Sequence, residues 1–482
     1  MPRHPMHLSA DAEAALRTAL KQLRTELEVP PAFPAHVLEA ADAAVAAPHL
    51  PDEDATYLPF FTIDPPSSKD LDQAMYLERR PGGGFRVHYA IADVAAFVTP
   101  GGALDAEAHE RVETLYFPDG KVALHPPVIS EGAGSLLPDR TVPALLWQHD
   151  LDAAGEVTHS HVRRALVRSR AKLNYAGVQQ DIDAGTAEES VTLLREIGKL
   201  REAVEIARGG VSVTLPDQEV TLDAGSFRLT YVASLPVEGW NEQISLMTGM
   251  AAARMMLDSG TGILRTQKPA KNNVVDRVRQ IARTLGIDWL HHVSYADLVR
   301  SLNPDNQKHM AFLSEATAML LKAEYTPFRD HHIPEHTIHA AIAAPYTHCT
   351  APLRRLIDRY TGELCVASCA DQAPPDWVLT ALYGLPCDMT RGKGSRADRR
   401  SVDLAEAAML KNRVGEVFGA TVINTDKEFN KPHEGQVHLA DPAVIGKVTS
   451  DRDLVLGESV RVTLERADPA HSEEDKVLFT LP

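Results

Sequence analysis

The chain has 482 residues, 44% apolar and 24% charged, an ordinary globular composition at a length that exceeds one typical core and predicts two or three domains. It holds no run of about 18 apolar residues, and Met1-Pro2-Arg3-His4-Pro5 is not followed by a signal-peptide core, so a membrane span is excluded and a soluble cytoplasmic protein is expected. A net charge of −17 excludes a surface coated in basic residues for nonspecific nucleic-acid binding, though not a basic channel, and four cysteines without paired C-x2-C spacing point to reduced, buried thiols.

Residues 1–50 are Ala-rich and helical in pattern. Ser9 is a plausible N-cap, and Leu16, Leu20, Leu23 and Leu27 recur on one narrow face until Val29-Pro30-Pro31 ends the helix. A second helix is predicted from about Ala35 to Ala47, before Pro48. Two helices and a tight turn suit a helix-turn-helix, but the segment is short and not markedly basic, so a docking or structural role is equally supported.

The next stretch is the most informative. A β-prone run from Tyr57 to Ile63 delivers Asp64 into the turn Pro65-Pro66-Ser67-Ser68, and a second strand begins at Asp70-Leu71-Asp72. Strand alternation points Asp70 and Asp72 the same way, and a turn that folds back adds Asp64, giving three carboxylates around one point. Such charges repel and raise one another's pKa unless a cation sits among them, and all-oxygen ligation suits Mg2+ first and Mn2+ second. From spacing alone a solvated acidic turn is an equally good reading. The pattern Thr62-Ile63-Asp64, five residues, Asp70-Leu71-Asp72, one residue, Ala74 resembles the catalytic signature of the ribonuclease II (RNB) family of 3′-to-5′ exoribonucleases. That family usually carries a fourth Asp where this chain has Gln73. Gln73 offers a neutral amide oxygen in its place and is a further candidate metal ligand, with the number of metals left open.

The strand after Asp70 runs to Arg80, Pro81 to Gly84 turn, and Phe85 to Phe97 returns as a hairpin partner. No Gly-Lys-Ser/Thr follows those glycines, so they are a poor phosphate loop. Arg111, four residues, and Tyr116-Phe117-Pro118 resemble the family segment whose tyrosine clamps the RNA 3′ end, making Tyr116 that candidate. A second hairpin spans Leu145 to Val167, with its turn at Asp152 to Gly155. Arg163, Arg164, Arg168, Arg170 and Lys172 follow with no acid among them, and Arg391, Lys393, Arg396, Arg399 and Arg400 stand against Asp398 alone. Basic runs in an acidic protein suit a polyanion admitted along one path, or else are solvated helix faces. Helices are predicted over 174–208, 238–258, 272–285 and 307–324. Lys172-Leu173-Asn174-Tyr175 and Asn241-Glu242-Gln243 resemble the family segments that supply a tyrosine and a glutamate for ribose recognition, which nominates Tyr175 and Glu242. Read as residues alone, they are a core tyrosine and a surface acid. The family's Arg-Gly-x-x-x-Phe stretch corresponds to Arg208 to Val213, without the stacking aromatic.

Tyr346 to Asp358 is the second constellation. Pro352 suits a first helical turn, so a helix is predicted to start there with Arg354 and Arg355 in that turn. Two cations at a helix N-terminus become favourable around a bound phosphate; a pair bridging acids such as Asp358 is the competing reading. The run resembles the family's Y-x-H-F-T-S-P-I-R-R-Y-x-D, with departures at Cys349, Ala351 and Leu356, and by that resemblance Arg354 is the catalytic arginine and Arg355 a further RNA contact. Two such motifs about 280 residues apart, in the family's order, are far more specific than either alone.

Short β runs over 417–423, 434–439, 444–448 and 459–465, ending near Glu473-Glu474-Asp475, suggest a small OB or S1 barrel. Residues 1–50 hold no pair of cold-shock barrels, which the family usually places there. The expected fold class is α+β: an N-terminal helical segment (1–50), a mixed α/β RNB catalytic domain (51–415) and an OB/S1-like barrel (416–482). The expected activity is Mg2+-dependent hydrolysis of single-stranded RNA from its 3′ end to nucleoside 5′-monophosphates, by a monomer. The alternatives are a catalytically weak RNA-binding protein of the same fold, motivated by Gln73, and a small-molecule phosphodiesterase.

Overall fold

The computed structural model describes residues 10–212, 217–223, 226–232, 234–303, 306–425, 431–471 and 475–481. The predicted cap Ser9, Val213 of the arginine-glycine stretch, and the acids Glu473 and Glu474 lie outside the described residues.

Two helices come first, α1 (Ala10–Glu26) and α2 (Ala35–Ala46). Their apolar faces enter different clusters. Leu16, Leu20 and Leu23 pack with Leu115, Phe117 and Leu404, whereas Val37 and Ala41 pack with Phe97, Leu104 and Leu353.

Strands β1 (Phe60–Ile63), β2 (Gln73–Arg79) and β3 (Phe85–Ala92) follow. An excursion then holds α3 (Ala103–Arg111) and the short hairpin β4 (Leu115–Phe117) and β5 (Gly120–Val122). Strands β6 (Thr141–Leu151) and β7 (Val157–Leu173) complete a closed barrel in the order β1-β2-β3-β6-β7, with β1 antiparallel to β2 and parallel to β7. Phe61, Met75, Leu77, Tyr89 and Trp147 are fully buried in its largest apolar cluster, as alternation requires. The strand predicted to end at Val167 continues to Leu173. Its basic residues therefore sit on a paired strand, not on a solvated helix face.

The predicted helix over 174–208 is two, α4 (Tyr175–Ala184) and α5 (Glu189–Arg208), separated at Gly185, whose φ of 70° ends the first. A hairpin β8 (Asp217–Asp223) and β9 (Ser226–Val232) leads to the long α6 (Pro236–Ser259). Then come β10 (Gly262–Thr266), α7 (Asn272–Leu285), α8 (Tyr295–Ser301) and α9 (Gln307–Ala316). Helix α9 ends at Ala316, short of the predicted 324; a 3-10 turn over Thr317–Met319 follows, and Glu324 already belongs to β11 (Glu324–Phe328), which pairs with β10. After β12 (Ile338–His339) and β13 (Ala344–Pro345) come α10 (Leu356–Cys369), α11 (Asp376–Ala381), α12 (Leu385–Thr390) and α13 (Gly394–Leu410). Trp240 and Ile244 of α6 and Tyr360 of α10 share the barrel's cluster, so both helices are fixed against it.

A second closed barrel, ordered β14-β15-β16-β18-β17, is built from β14 (Val417–Thr425), β15 (Glu434–Leu439), β16 (Val444–Ser450), β17 (Ser459–Ala467) and β18 (Val477–Leu481). Its fifth strand was not among the predicted runs. Among the described residues no helix is long and apolar enough to cross a membrane. The cysteines are free, with Cys349 and Cys365 buried as expected but Cys387 exposed.

Candidate active site

The acidic loop between β1 and β2 is pinned at both ends. The backbone N–H of Asp64 donates to Leu173 at 3.1 Å, and Lys172 Nζ donates to the Pro66 carbonyl at 2.7 Å, so the end of β7 holds the Pro-Pro turn. Further on, Leu71 N–H donates to Ser135 Oγ at 2.9 Å, and that hydroxyl donates to the Lys69 carbonyl at 2.6 Å. Leu71 is wholly buried, while Asp70 and Asp72 on either side line a cavity of about 440 Å³ together with Asp64. Residues 70–72 precede the strand proper, yet the alternation read from the sequence holds.

Arg354 reaches the same cavity from the segment before α10. The helix begins at Leu356, not Pro352, since Pro352 to Arg354 form a turn and Arg355 is extended at φ −138° and ψ 126°. Long-range pairing overrides the proline signal. Thr114 N–H donates to the Arg354 carbonyl at 3.0 Å and Leu356 N–H to the Val112 carbonyl at 2.9 Å. Val112 sits at φ 57°, a strained conformation for a β-branched residue, where α3 ends and the chain turns to make this bridge. Asp72 then joins the two motifs. Its Oδ1 accepts from Leu353 N–H at 2.8 Å, and its Oδ2 lies 3.4 Å from Arg354 Nε.

Arg355 has a different fate. Its guanidinium donates to both oxygens of buried Asp358, at 3.0 and 2.8 Å, and it does not line the cavity. The expectation that it contacts RNA is corrected here: Asp358 also accepts from Ala351 N–H at 2.7 Å, so the pair braces the turn that presents Arg354.

The remaining walls come from α4, α6 and the β4–β5 hairpin. Asn174 caps α4, accepting from Gly177 N–H at 2.9 Å, which makes Tyr175 the first helical residue; its hydroxyl accepts from Asn241 at 3.2 Å. Helix α6 starts with Pro236 in its first turn and Glu238 accepting from Leu235 N–H at 2.7 Å. Its residues Glu238, Asn241, Glu242 and Ser245 all line the cavity, at i, i+3, i+4 and i+7. Tyr116 projects from β4, its hydroxyl 3.4 Å from Asp70 Oδ2. Opposite it on β5, Lys121 places its ammonium 2.6 Å from Asp70 and 2.9 Å from Glu131. Sequence reading missed Lys121, Glu238, Asn241 and Ser245. The helical period starting from Glu242, and the tight turn after Tyr116, were the signals that would have found them.

Burial dominates the electrostatics. It pushes the Asp72 carboxyl up to about 7 against the pull of Arg354, and Asp64 up to about 6 despite Thr62 and Lys172. Burial and the Asp64 charge push the Tyr175 phenol up to about 12, and burial raises Glu242 as well. Asp64 Oδ2 is buried without a hydrogen-bond partner.

The three carboxylates share a cavity rather than a point. Among the described residues no three His, Cys, Asp or Glu side chains converge closely enough to form a cation site as they stand. Asp70 is drawn to Lys121, and Asp72 to Leu353 and Arg354. The donor set still fits a hard divalent ion: it is all oxygen, and Asp64 presents a buried carboxylate oxygen with no partner. Gln73 does not read as a ligand. Its Nε2 donates to the Thr350 carbonyl at 2.8 Å, which fixes the amide orientation, and its Oε1 accepts from the buried Tyr89 hydroxyl at 2.6 Å. It latches the acidic strand to the arginine segment.

Acids facing an exposed arginine across a polar, tyrosine-walled cavity make a site suited to a phosphodiester, on a barrel that carries a second, smaller barrel. A model of the RNB domain matches residues 52–366, and a model of the RNase II-type exonuclease C-terminal S1 domain matches residues 416–475. The chain belongs to the RNB-domain exoribonuclease family. Ribonuclease R of Vibrio cholerae is 24% identical over 435 residues, which are 82% of this chain and 52% of that protein. The solved structure of Mycoplasma genitalium RNase R with ribose-methylated single-stranded RNA matches 97% of this chain and 78% of its own, with a TM-score of 0.82 at 17% identity. Yeast Ssd1, described as a pseudonuclease, matches 84% of this chain and 52% of its own, with a TM-score of 0.68 at 15% identity. The chain spans about a third to a half of the length of the curated relatives that it matches along most of its own.

Proposed function

We propose that this chain is a divalent-metal-dependent hydrolase that shortens single-stranded RNA from its 3′ end and releases nucleoside 5′-monophosphates. The observation that carries the proposal is the meeting of Asp64, Asp70, Asp72 and Arg354 in one cavity, with Asp72 bonded directly to the arginine segment. Asp64, Asp70 and Asp72 would hold the ion, Mg2+ before Mn2+; when bound, it would activate water and stabilise the leaving 3′ oxygen. Arg354, half-exposed at the cavity, neutralises charge that builds on the scissile phosphate. Tyr116, the exposed aromatic of the wall, stacks on the terminal nucleotide, while Tyr175 and Glu242 face its ribose. Residues 416–482 would guide the strand toward the cavity, and the cytosol is the expected compartment.

The test is a 5′-labelled RNA and its DNA counterpart, incubated with Mg2+ or EDTA and resolved on a gel. Mg2+-dependent shortening of RNA alone, from the 3′ end, is the expected result. The Gln73 latch favours one rival, a protein of this fold that binds RNA without cutting it, since the amide already engages Tyr89 and Thr350. RNA bound yet intact under every divalent ion would establish that rival.

A further inference from the structure

The β4–β5 hairpin has two chemically distinct faces. Tyr116 and Lys121 are cross-strand partners, and both reach Asp70. Leu115 and Phe117, pointing the other way by strand alternation, are buried in the apolar cluster of Leu16, Leu20 and Leu23 from α1. Three residues per strand bury too little for such a hairpin to hold itself in place. Its tip is gripped instead. Phe117 and Gly120 pair, leaving Pro118-Asp119 as the turn, and both Nη atoms of Arg24 on α1 bind the Asp119 carboxylate, Nη1 at 3.1 Å. The same guanidinium lies 4.2 Å from the centre of the Phe117 ring. Helix α1 is anchored in turn to α13 through an Arg400–Glu26 ion pair, and Lys393 Nζ donates to the Glu28 carbonyl at 3.2 Å.

We infer that α1 is a clamp that sets the hairpin against the acidic loop, with Arg24 and Asp119 as positioning residues for the RNA 3′ end. This gives residues 10–26 a role without nucleic-acid contact, and it rests on the reading of the cavity as an exoribonuclease site. Neither Arg24 nor Asp119 lines that cavity, so their effect runs through Tyr116 and Lys121.

The test uses the full chain with Arg24→Met and, separately, Asp119→Asn, which leaves the α1 face intact. Hydrogen exchange at residues 115–122 should quicken about tenfold in both variants while β3 and β6 stay unchanged. KM for a five-nucleotide RNA should rise about fivefold, with KM for a long RNA within about twofold, because only the short substrate depends wholly on the cavity. Arg24→Met added to Tyr116→Ala should cost clearly less than it costs alone, since only the part carried by Lys121 remains to be lost, a non-additivity that general destabilisation would not produce. Arg24→Lys should recover part of the loss. Unchanged exchange at 115–122 in both variants overturns the clamp, as does a short-RNA KM that responds to Tyr116→Ala but to neither positioning variant. If wild-type protein neither binds nor shortens RNA, the functional reading falls, and the exchange measurement alone decides whether α1 clamps the hairpin.

Discussion

The acidic loop from Asp64 to Asp72, three carboxylates with Lys69 among them, and the basic strand from Arg163 to Lys172 are both conspicuous charge clusters in the sequence, and the fold treats them differently. On β7 the charges are matched by acids brought from elsewhere: Arg163 meets Glu53 at 2.5 Å, Arg164 meets Asp93 at 2.8 Å and also Glu363, and Arg170 meets Glu188 at 2.9 Å. Arg168 donates to Thr141 at 2.9 Å, and Lys172 is bound to the carbonyls of the acidic loop. Three of the five cations on the predicted basic path are therefore neutralised by acids, and the other two are held by neutral oxygens. In the acidic loop Asp70 meets Lys121 and Asp72 meets Arg354, yet one carboxylate oxygen of Asp64 stays buried without a hydrogen-bond partner, and burial holds Asp64 and Asp72 far above the usual carboxylate range. A charge run marks function where the fold leaves the charge uncompensated, and marks architecture where it supplies the partner.

The sharpest way to break this contrast is Asp72→Asn, which is expected to lower RNA cleavage about 1,000-fold while leaving RNA binding within a few-fold. Cleavage at near wild-type rate would remove Asp72 from the chemistry. Arg354→Ala comes next, with a loss of about 100-fold in kcat/KM measured on the same labelled RNA.

The pH dependence of stability sharpens the contrast from another side. Asp64 and Asp72 bind protons more tightly folded than unfolded, their carboxyls lying near 6 and 7 against 3.8. Their contribution to stability is therefore fullest below about pH 4 and is lost as pH rises through 6 to 7. Metal-free protein should weaken by several kcal/mol between about pH 4 and 7 in urea titrations, and Asp72→Asn should flatten the slope. Divalent ions should restore stability at pH 7.5 by binding the ionised forms.

Smaller effects test the latch and the strand. Gln73→Glu keeps the shape but sets a carboxylate oxygen against the Thr350 carbonyl; cleavage should fall about tenfold, where a missing ligand would instead be regained. Arg163→Ala, on the neutralised strand, should leave cleavage within about twofold and stability within about 1 kcal/mol.

Much of this was legible before the structure. Alternation across Asp70-Leu71-Asp72 placed two acids together, the family resemblance nominated Glu242 of the same cavity, and short β runs announced the terminal barrel. What failed to read were features decided by distant partners. Pro352 signals a helix start, yet the pairing of residues 112–114 with 354–356 delays it. For Arg355 the competing reading, a bridge to nearby Asp358, is the one the structure bears out. Gln73 looks like a weakened ligand until Tyr89 and Thr350 claim its amide. The extent of β7 was hidden because its last residues are polar where they pair with β1 rather than with the predicted hairpin partner.

The measurement that bears most directly on the central contrast is titration of Mn2+ against wild-type protein, Asp64→Asn and Arg163→Ala, with free Mn2+ followed by electron paramagnetic resonance. Saturable binding by wild type and Arg163→Ala, weakened at least about tenfold in Asp64→Asn, is the expected result. Binding that Asp64→Asn leaves intact, or no binding by wild type, would contradict the claim that the acidic loop, with the unpartnered oxygen of Asp64, is the functional site.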